Sequence, residues 1–210
     1  MFFYLLKKEC VEKFLAKFSS NVCQTTSIDS RTTHLITNDE KHSLRSPLSM
    51  KLIEAIAHHC YCVSYRWIID CLKYDRLIDE DSYEIEGDDT EIQAHGGPHR
   101  ARLIPNQHSL FQNHCFMIKC TEKSDIKMTN ERLEDLITTC GGQIITCVTQ
   151  RLLDEYKIIV LCDMLYVSER RNNYNQCRQL GINFVSSDWV LESILEYRLK
   201  PFLLFEEVPL

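Results

Sequence analysis

Hydrophobic positions change rhythm several times along the chain, from short unbroken runs to a three-to-four spacing and back. Residues 2–6 (FFYLL) form an apolar run of strand length, and Val11, Phe14, Leu15 and Phe18 then recur at helical spacing. Residues 33–37 predict a short strand. Ser46-Pro47 suggests an N-cap followed by proline at the first helical position, opening a helix with Met50, Ile53, Ile56 and Ala57. Residues 60–63 predict a strand, and Ser64 begins a helix holding Trp67, Ile68, Cys71 and Leu72. Beyond position 110, residues 115–119, 143–146, 157–162 and 183–185 predict strands, and residues 130–140, 170–180 and 186–197 predict helices. Gly141-Gly142 stands where the helix over 130–140 needs a C-cap. Residues 157–162 are almost continuously apolar, as in a sheet covered on both faces. Strands alternating with helices imply parallel pairing through right-handed crossovers, an α/β fold.

The chain also repeats itself. Val63-Ser64-Tyr65-Arg66-Trp67-Ile68-Ile69-Asp70 returns as Val185-Ser186-Ser187-Asp188-Trp189-Val190-Leu191-Glu192. The match continues in register, with Leu72 against Ile194 and Arg76-Leu77 against Arg198-Leu199. The tryptophans are 122 positions apart, far beyond the roughly 20–50 residues of a solenoid unit, so the repeat indicates a duplicated domain. Between the copies, Asp88-Asp89, Gly96-Gly97-Pro98 and two arginines mark a shift in composition. The expected division is a first repeat over 1–79, a linker over 80–108 and a second repeat over 109–210.

Composition narrows the class. The 210 residues are 44% hydrophobic and 26% charged, ordinary for a soluble globular protein, and 6 glycines with 5 prolines exclude collagen-like or low-complexity chains. The net charge is −6; residues 1–79 hold 11 basic and 9 acidic side chains, residues 80–108 hold 2 and 7, and residues 109–210 hold 11 and 14. No segment has the basic excess of a non-specific DNA binder. No apolar run approaches the ~20 residues that span a bilayer, and residues 2–6 lack the basic flank of a secretory signal, so no membrane role is expected. Met1 stands almost on the first predicted strand, as in a piece of a longer protein. The 11 cysteines are odd in number, and Cys62, Cys71, Cys115 and Cys162 sit within apolar runs. They read as free thiols in a reducing compartment.

The V-S-x-x-W repeat, the Thr32-Thr33-His34-Leu35-Ile36 strand and the Cys140-Gly141-Gly142 turn resemble the BRCT family. The segments Tyr83-Glu84-Ile85-Glu86-Gly87-Asp88 and His95-Gly96-Gly97-Pro98-His99-Arg100-Ala101-Arg102 resemble the segment between the two domains of a tandem BRCT pair. The resemblance covers nearly the whole chain. It implies two repeats, each a four-stranded parallel sheet flanked by three helices, packed head to tail. It further implies a non-catalytic module that binds phosphoserine-x-x-Phe peptides of phosphorylated nuclear proteins in the DNA-damage response and homologous recombination. The parent protein would carry a RING domain and form a ubiquitin-ligase heterodimer with a RING-domain partner. No cofactor is implied.

By the same resemblance, Lys51 contacts the phosphate and Ser49 supports it. Physics agrees, because a helix N-terminus offers unpaired N–H groups and positive potential, to which a lysine adds a full charge. The plain alternative is a solvated surface lysine beside a cap. The aromatic side chain three residues after the phosphoserine is expected at Ile53, Met128 and Leu191, which read equally as core. Two positions depart from the family pattern. Leu5-Leu6, or Lys7-Lys8 with a shifted gap, stand where a phosphate-binding serine and glycine are expected. Leu48 replaces an arginine, with Arg45 nearby as a substitute and Lys8 as a partial compensation. One lost charge-assisted hydrogen bond costs about 1.5–3 kcal/mol.

Other chemistries compete. His59-Cys60, five residues, then Arg66 fits a cysteine-phosphatase spacing, but Tyr61-Cys62-Val63-Ser64-Tyr65 is strand-like and lacks the small residues that wrap an anion. His58-His59-Cys60-x-Cys62 suggests zinc, yet Cys60 and Cys62 are alternate strand positions with no second ligand pair. No GxxxxGK or GxGxxG occurs. A chromatin- or protein-docking role would use the acidic residues 88–91 and the basic residues 100–102, which otherwise form a solvated linker.

Overall fold

The computed structural model describes residues 2–39, 42–90, 95–104, 109–121 and 128–210, with the backbone alone for residues 2–7. Two compact units result, Met1–Arg102 and Leu103–Leu210.

In the first unit, α1 (Phe2–Lys17) precedes β1 (His34–Thr37), β2 (Arg45–Ser46), α2 (Met50–Ala57), β3 (Tyr61–Ser64), α3 (Arg66–Tyr74), β4 (Gly87–Asp88) and the short α4 (Gly97–Leu103). Residues 2–6 are therefore helical, not a strand. No glycine or proline separates them from Val11, and Lys7, Lys8, Glu9 and Glu12 are good helix formers, so the helix runs back through the apolar run. Among the described residues the strands pair in two parallel couples, β1 with β3 and β2 with β4, in place of the four-stranded sheet expected for this repeat. The core gathers Phe14 of α1, Val63, Trp67, Ile68 and Cys71.

The second unit holds β5 (His114–Ile118), α5 (Asn130–Thr139), β6 (Gln143–Ile144), α6 (Gln150–Glu155), β7 (Lys157–Leu161), α7 (Met164–Glu169), α8 (Arg171–Gln179), β8 (Asn183–Val185) and α9 (Asp188–Leu195). Its strands form the expected four-stranded parallel sheet in the order β6-β5-β7-β8. Helix α5 ends at Cys140, and Gly141 takes φ +82°, a conformation that glycine adopts without steric cost.

The duplication is visible in three dimensions. Trp67 Nε1–H donates to the Ile78 carbonyl and Trp189 Nε1–H to the Lys200 carbonyl, each at 2.9 Å. Val63 forms an antiparallel bridge with Glu84, and Val185 forms one with Glu206. All four pairs keep the offset of the sequence repeat. Much of the expected linker is thus built into the first unit: Ile85 is fully buried and its N–H donates to the Cys62 carbonyl.

Candidate functional site

The N-terminus of α2 is assembled from the β1–β2 segment. Asp39, buried just after β1, accepts from the N–H groups of Ser43 (2.8 Å) and Leu44 (3.1 Å). Its other oxygen accepts from Arg66 Nη2 at 2.7 Å. This carboxylate ties the turn to the start of α3. Sequence reasoning missed it; the signal available was a lone aspartate directly after a strand. The chain then enters β2, where the buried Ser46 hydroxyl lies 2.6 Å from Thr37 Oγ1. Ser46 is thus not the N-cap: it lies in β2 opposite Asp88, and its hydroxyl is engaged by Thr37 and the Pro47 carbonyl. Ser49 takes that role, with extended backbone and its Oγ accepting from Leu52 N–H at 3.3 Å.

Lys51 lies in the first turn of α2 and is exposed, and no acidic side chain occupies that turn. The positive end of the helix is therefore not neutralised by a carboxylate of its own. Leu48 is exposed beside it. Leu52, Ile53, Ala55, Ile56 and Ala57 of α2 are buried. Ile53 belongs to the first unit, while Met128 and Leu191 are buried residues of the second unit. The Leu5 and Leu6 backbone lies within α1, so these residues occupy no turn after a strand. Lys8 is exposed and lies 4.0 Å from Glu12 one turn on.

The competing chemistries find no support in the geometry. The Cys60 thiol donates to the Thr32 carbonyl, and burial pushes its pKa up to about 11, opposite to the activated thiolate a phosphatase needs. Arg66 is engaged by Asp39 rather than turned to an anion site. Among the described residues, no group of three or more His, Cys, Asp or Glu side chains is placed to hold a metal ion. No described helix is long and apolar enough to cross a membrane.

The expected solvated linker is largely paired. Glu84 is buried and accepts from Arg102 Nε (3.0 Å) and Nη2 (3.1 Å), while His99 Nδ1 lies 2.6 Å from Oε2. The Arg102 guanidinium also covers the Tyr61 ring at 3.8 Å. Asp88 is buried beside His95 at 3.2 Å; that contact leads the interactions that hold its carboxyl far below the usual range. Arg102 and Asp88, two residues expected to reach a chromatin partner, thus have partners within their own unit. Glu91 and residues 105–108 of the expected linker lie outside the described residues.

Comparison with known proteins agrees with this architecture. The model of the BRCA1 C Terminus (BRCT) domain matches residues 3–72, and a second BRCT domain model matches residues 109–206. The chain is 28% identical over 203 residues to the Caenorhabditis elegans breast cancer type 1 susceptibility protein homolog, covering 92% of this chain and 32% of that protein. It is 27% identical over 194 residues to the Rattus norvegicus homolog, covering 90% of this chain and 10% of that protein. The chain therefore spans about a third or less of the curated relatives it matches. Among solved structures it is similar to the S. pombe Brc1 BRCT5-BRCT6 domains, with TM-score 0.63, 20% identity, and 90% and 87% of the two chains covered. It is also similar to Rtt107p in complex with a phosphorylated histone, with TM-score 0.58, 14% identity, and coverage of 90% and 80%. With two units built on one repeated tryptophan clasp and a family match in each, the chain belongs to the BRCT family as a tandem pair, a binding-module fold related to the breast cancer type 1 susceptibility protein.

Proposed function

We propose that this tandem pair is a phosphopeptide-binding scaffold that recognises phosphoserine-x-x-Phe segments of phosphorylated nuclear proteins. The repeat boundaries are 1–79 and 109–210. The phosphate sits at the N-terminus of α2, where Lys51 supplies the charge and Ser49 the cap, and the aromatic side chain meets Ile53, Met128 and Leu191. The observation that carries this reading is the exposed Lys51 on a helix end with no acid in its first turn. The complex of the related Rtt107p with a phosphorylated histone supports the ligand class. The kinship with breast cancer type 1 susceptibility homologs supports a nuclear role in DNA repair. In a longer parent protein the module would serve a ubiquitin-ligase complex with a RING-domain partner.

Leu5, Leu6 and Leu48 provide no hydroxyl or charge, so the site binds phosphate more weakly than one with the full set of ligands. Calorimetry on the whole chain with matched phosphorylated and unphosphorylated Ser-x-x-Phe peptides tests the reading. Lys51→Ala is expected to weaken the phosphopeptide about tenfold or more, the equivalent of one charge-assisted hydrogen bond. Met128→Arg is expected to abolish the preference for phenylalanine. Equal affinity of the unmutated chain for both peptides overturns the phosphate site.

A further inference from the structure

The outer face of α8 in the second unit has a composition that helix stability does not explain. Tyr174 and Cys177 turn inward, the Tyr174 ring 4.9 Å from that of Phe184, and the other residues of α8 are exposed. At about 100° per residue, the direction opposite these two side chains falls among Asn172, Asn175, Gln176 and Gln179, each within about 50° of it. These are positions i, i+3, i+4 and i+7, so four carboxamides form one ridge. None of the four has a hydrogen-bond partner among the described residues. Residues 170–187 contain no aspartate or glutamate, in a chain with 30 of them. Asparagine is a poor helix former, and a merely solvated helix face is better served by Glu, Lys or Gln. With asparagine at 172, 173 and 175, α8 breaks that rule on its exposed side, where such a breach points to a ligand.

A carboxamide holds a carbonyl acceptor and an N–H donor side by side. The major-groove edge of adenine offers the complement, an N6–H donor beside the N7 acceptor. The ridge runs over seven residue steps, about 10 Å at ~1.5 Å each, which matches about three base-pair steps of ~3.4 Å. A helix with side chains is about 10–12 Å across, the width of that groove. Arg171 flanks the ridge, exposed and without an ion-pair partner among the described residues, and can meet a phosphate, whereas Arg178 on the same flank is held by Glu206. We propose that the carboxamide ridge of α8 is a docking surface for duplex DNA, seated in the major groove and favouring A·T pairs. Duplex RNA does not fit, because its major groove is too narrow for side chains to read. In a chain of net charge −6 the amides, not charge, carry recognition, so binding depends shallowly on salt, with a slope of about −1 for one neutralised phosphate. The surface lies in the second unit and does not rest on the phosphopeptide reading of α2 in the first.

Fluorescence anisotropy of the whole chain with short labelled duplexes of equal length, one A·T-rich and one G·C-rich, tests this. The A·T-rich duplex is expected to bind about tenfold more tightly. Gln176→Glu aims a carboxylate at the DNA and should weaken binding about tenfold or more, whereas Gln112→Glu, the same charge change at another exposed position of the second unit, should stay within about twofold. The double variant Asn172→Ala, Gln176→Ala keeps the charge and favours the helix, and it should erase the A·T preference. Phosphopeptide affinity should be unchanged in all three variants, so the two proposals fail separately. Absence of binding to either duplex overturns the proposal, as does equal affinity for both. Equal loss with Gln176→Glu and Gln112→Glu overturns it by assigning the binding to net charge. Duplex RNA bound as tightly as DNA overturns it by removing the major groove from recognition.

Discussion

Among the described residues, the first unit keeps the tryptophan clasp of the second but not its four-stranded sheet. In both, the indole N–H closes on a carbonyl eleven residues ahead, and a valine of the strand just before the tryptophan helix bridges to a glutamate twenty-one residues on. Beyond that frame they diverge. The second unit has four paired strands, and α7, which follows β7, begins on Asp163. That carboxylate accepts from Tyr166 N–H at 3.0 Å, which holds its pKa below the usual range and neutralises the helix end. The first unit shows two strand couples, and α2 begins on Ser49 with Lys51 in its first turn. An acid at a helix N-terminus repels a phosphate; a hydroxyl and a lysine leave room for one. The lesson is that the two copies share what closes their cores and differ at helix ends and strand edges.

The largest test of the shared frame removes each tryptophan in turn. Trp189 is fully buried, with Phe111, Phe116 and Phe202 within 5.0–6.3 Å between ring centres. Trp67 is 5% exposed and is met by Phe14 and His34 at 5.5 and 5.7 Å. Removing a buried tryptophan costs about 3–5 kcal/mol through lost burial and the cavity left behind. Trp189→Ala is expected at the top of that range and Trp67→Ala at the bottom, read from urea midpoints of the whole chain. A larger loss for Trp67→Ala would show that the first unit's core is the better packed of the two, reversing the comparison.

The glutamates at the two bridges sharpen it further. Glu84 is buried and holds Arg102 bidentately with His99 beside it, whereas Glu206 pairs with the half-exposed Arg178. Glu84→Ala leaves a largely buried guanidinium without its main partner and is expected to cost about 3 kcal/mol. The more exposed pair at Glu206 is worth about 1 kcal/mol or less. Denaturant unfolding of the two single variants measures the difference. Equal costs would mean that the 80–102 segment is no more integral to the first unit than the C-terminal segment is to the second.

Periodicity made the four strands of the second unit legible, most clearly over residues 157–162, an apolar run that a covered sheet requires, while the short helices α6 and α7 carry too few turns to show a period and were not legible. The tryptophan repeat likewise disclosed the duplication before any coordinates. Two local conflicts defeated the same reasoning in the first unit. Residues 2–6 have strand composition, but nothing ends the helix between them and Val11, so helical continuity prevailed. Ser46-Pro47 matched a cap pattern, yet Ser46 is drawn into β2 opposite Asp88, a pairing the local pattern does not show, and the helix starts at Ser49. The Asp39–Arg66 clamp and the Glu84–Arg102 pair escaped notice because contacts over 27 and 18 positions leave no local pattern. Lys51 early in the helix was legible; Ser49 was given by resemblance as a support of the phosphate, but not as the cap it is.

The smallest expected effect separates the units by pH. His114 begins β5 inside the aromatic group of Phe111, Phe116 and Trp189, and its Nδ1 has no hydrogen-bond partner among the described residues. Burial, then the charge of Lys157, lowers its pKa in the folded chain. The unfolded imidazole titrates near ~6.5. Below that pH the unfolded state binds a proton that the folded state resists, so stability is fully present above about 6.5 and declines as pH falls. Between pH 7 and 5 the carboxylates of Asp88 and Asp163 stay ionised, since both pKa values are lowered, and so do not contribute. His58 in the first unit is also lowered by burial, so acid weakens both units. His114→Phe removes the share of the second unit alone. Its urea midpoint should fall less from pH 7 to 5 than that of the unmutated chain, by an amount smaller than either effect above. An unchanged pH dependence would mean that the His114 ring reaches solvent in the folded second unit.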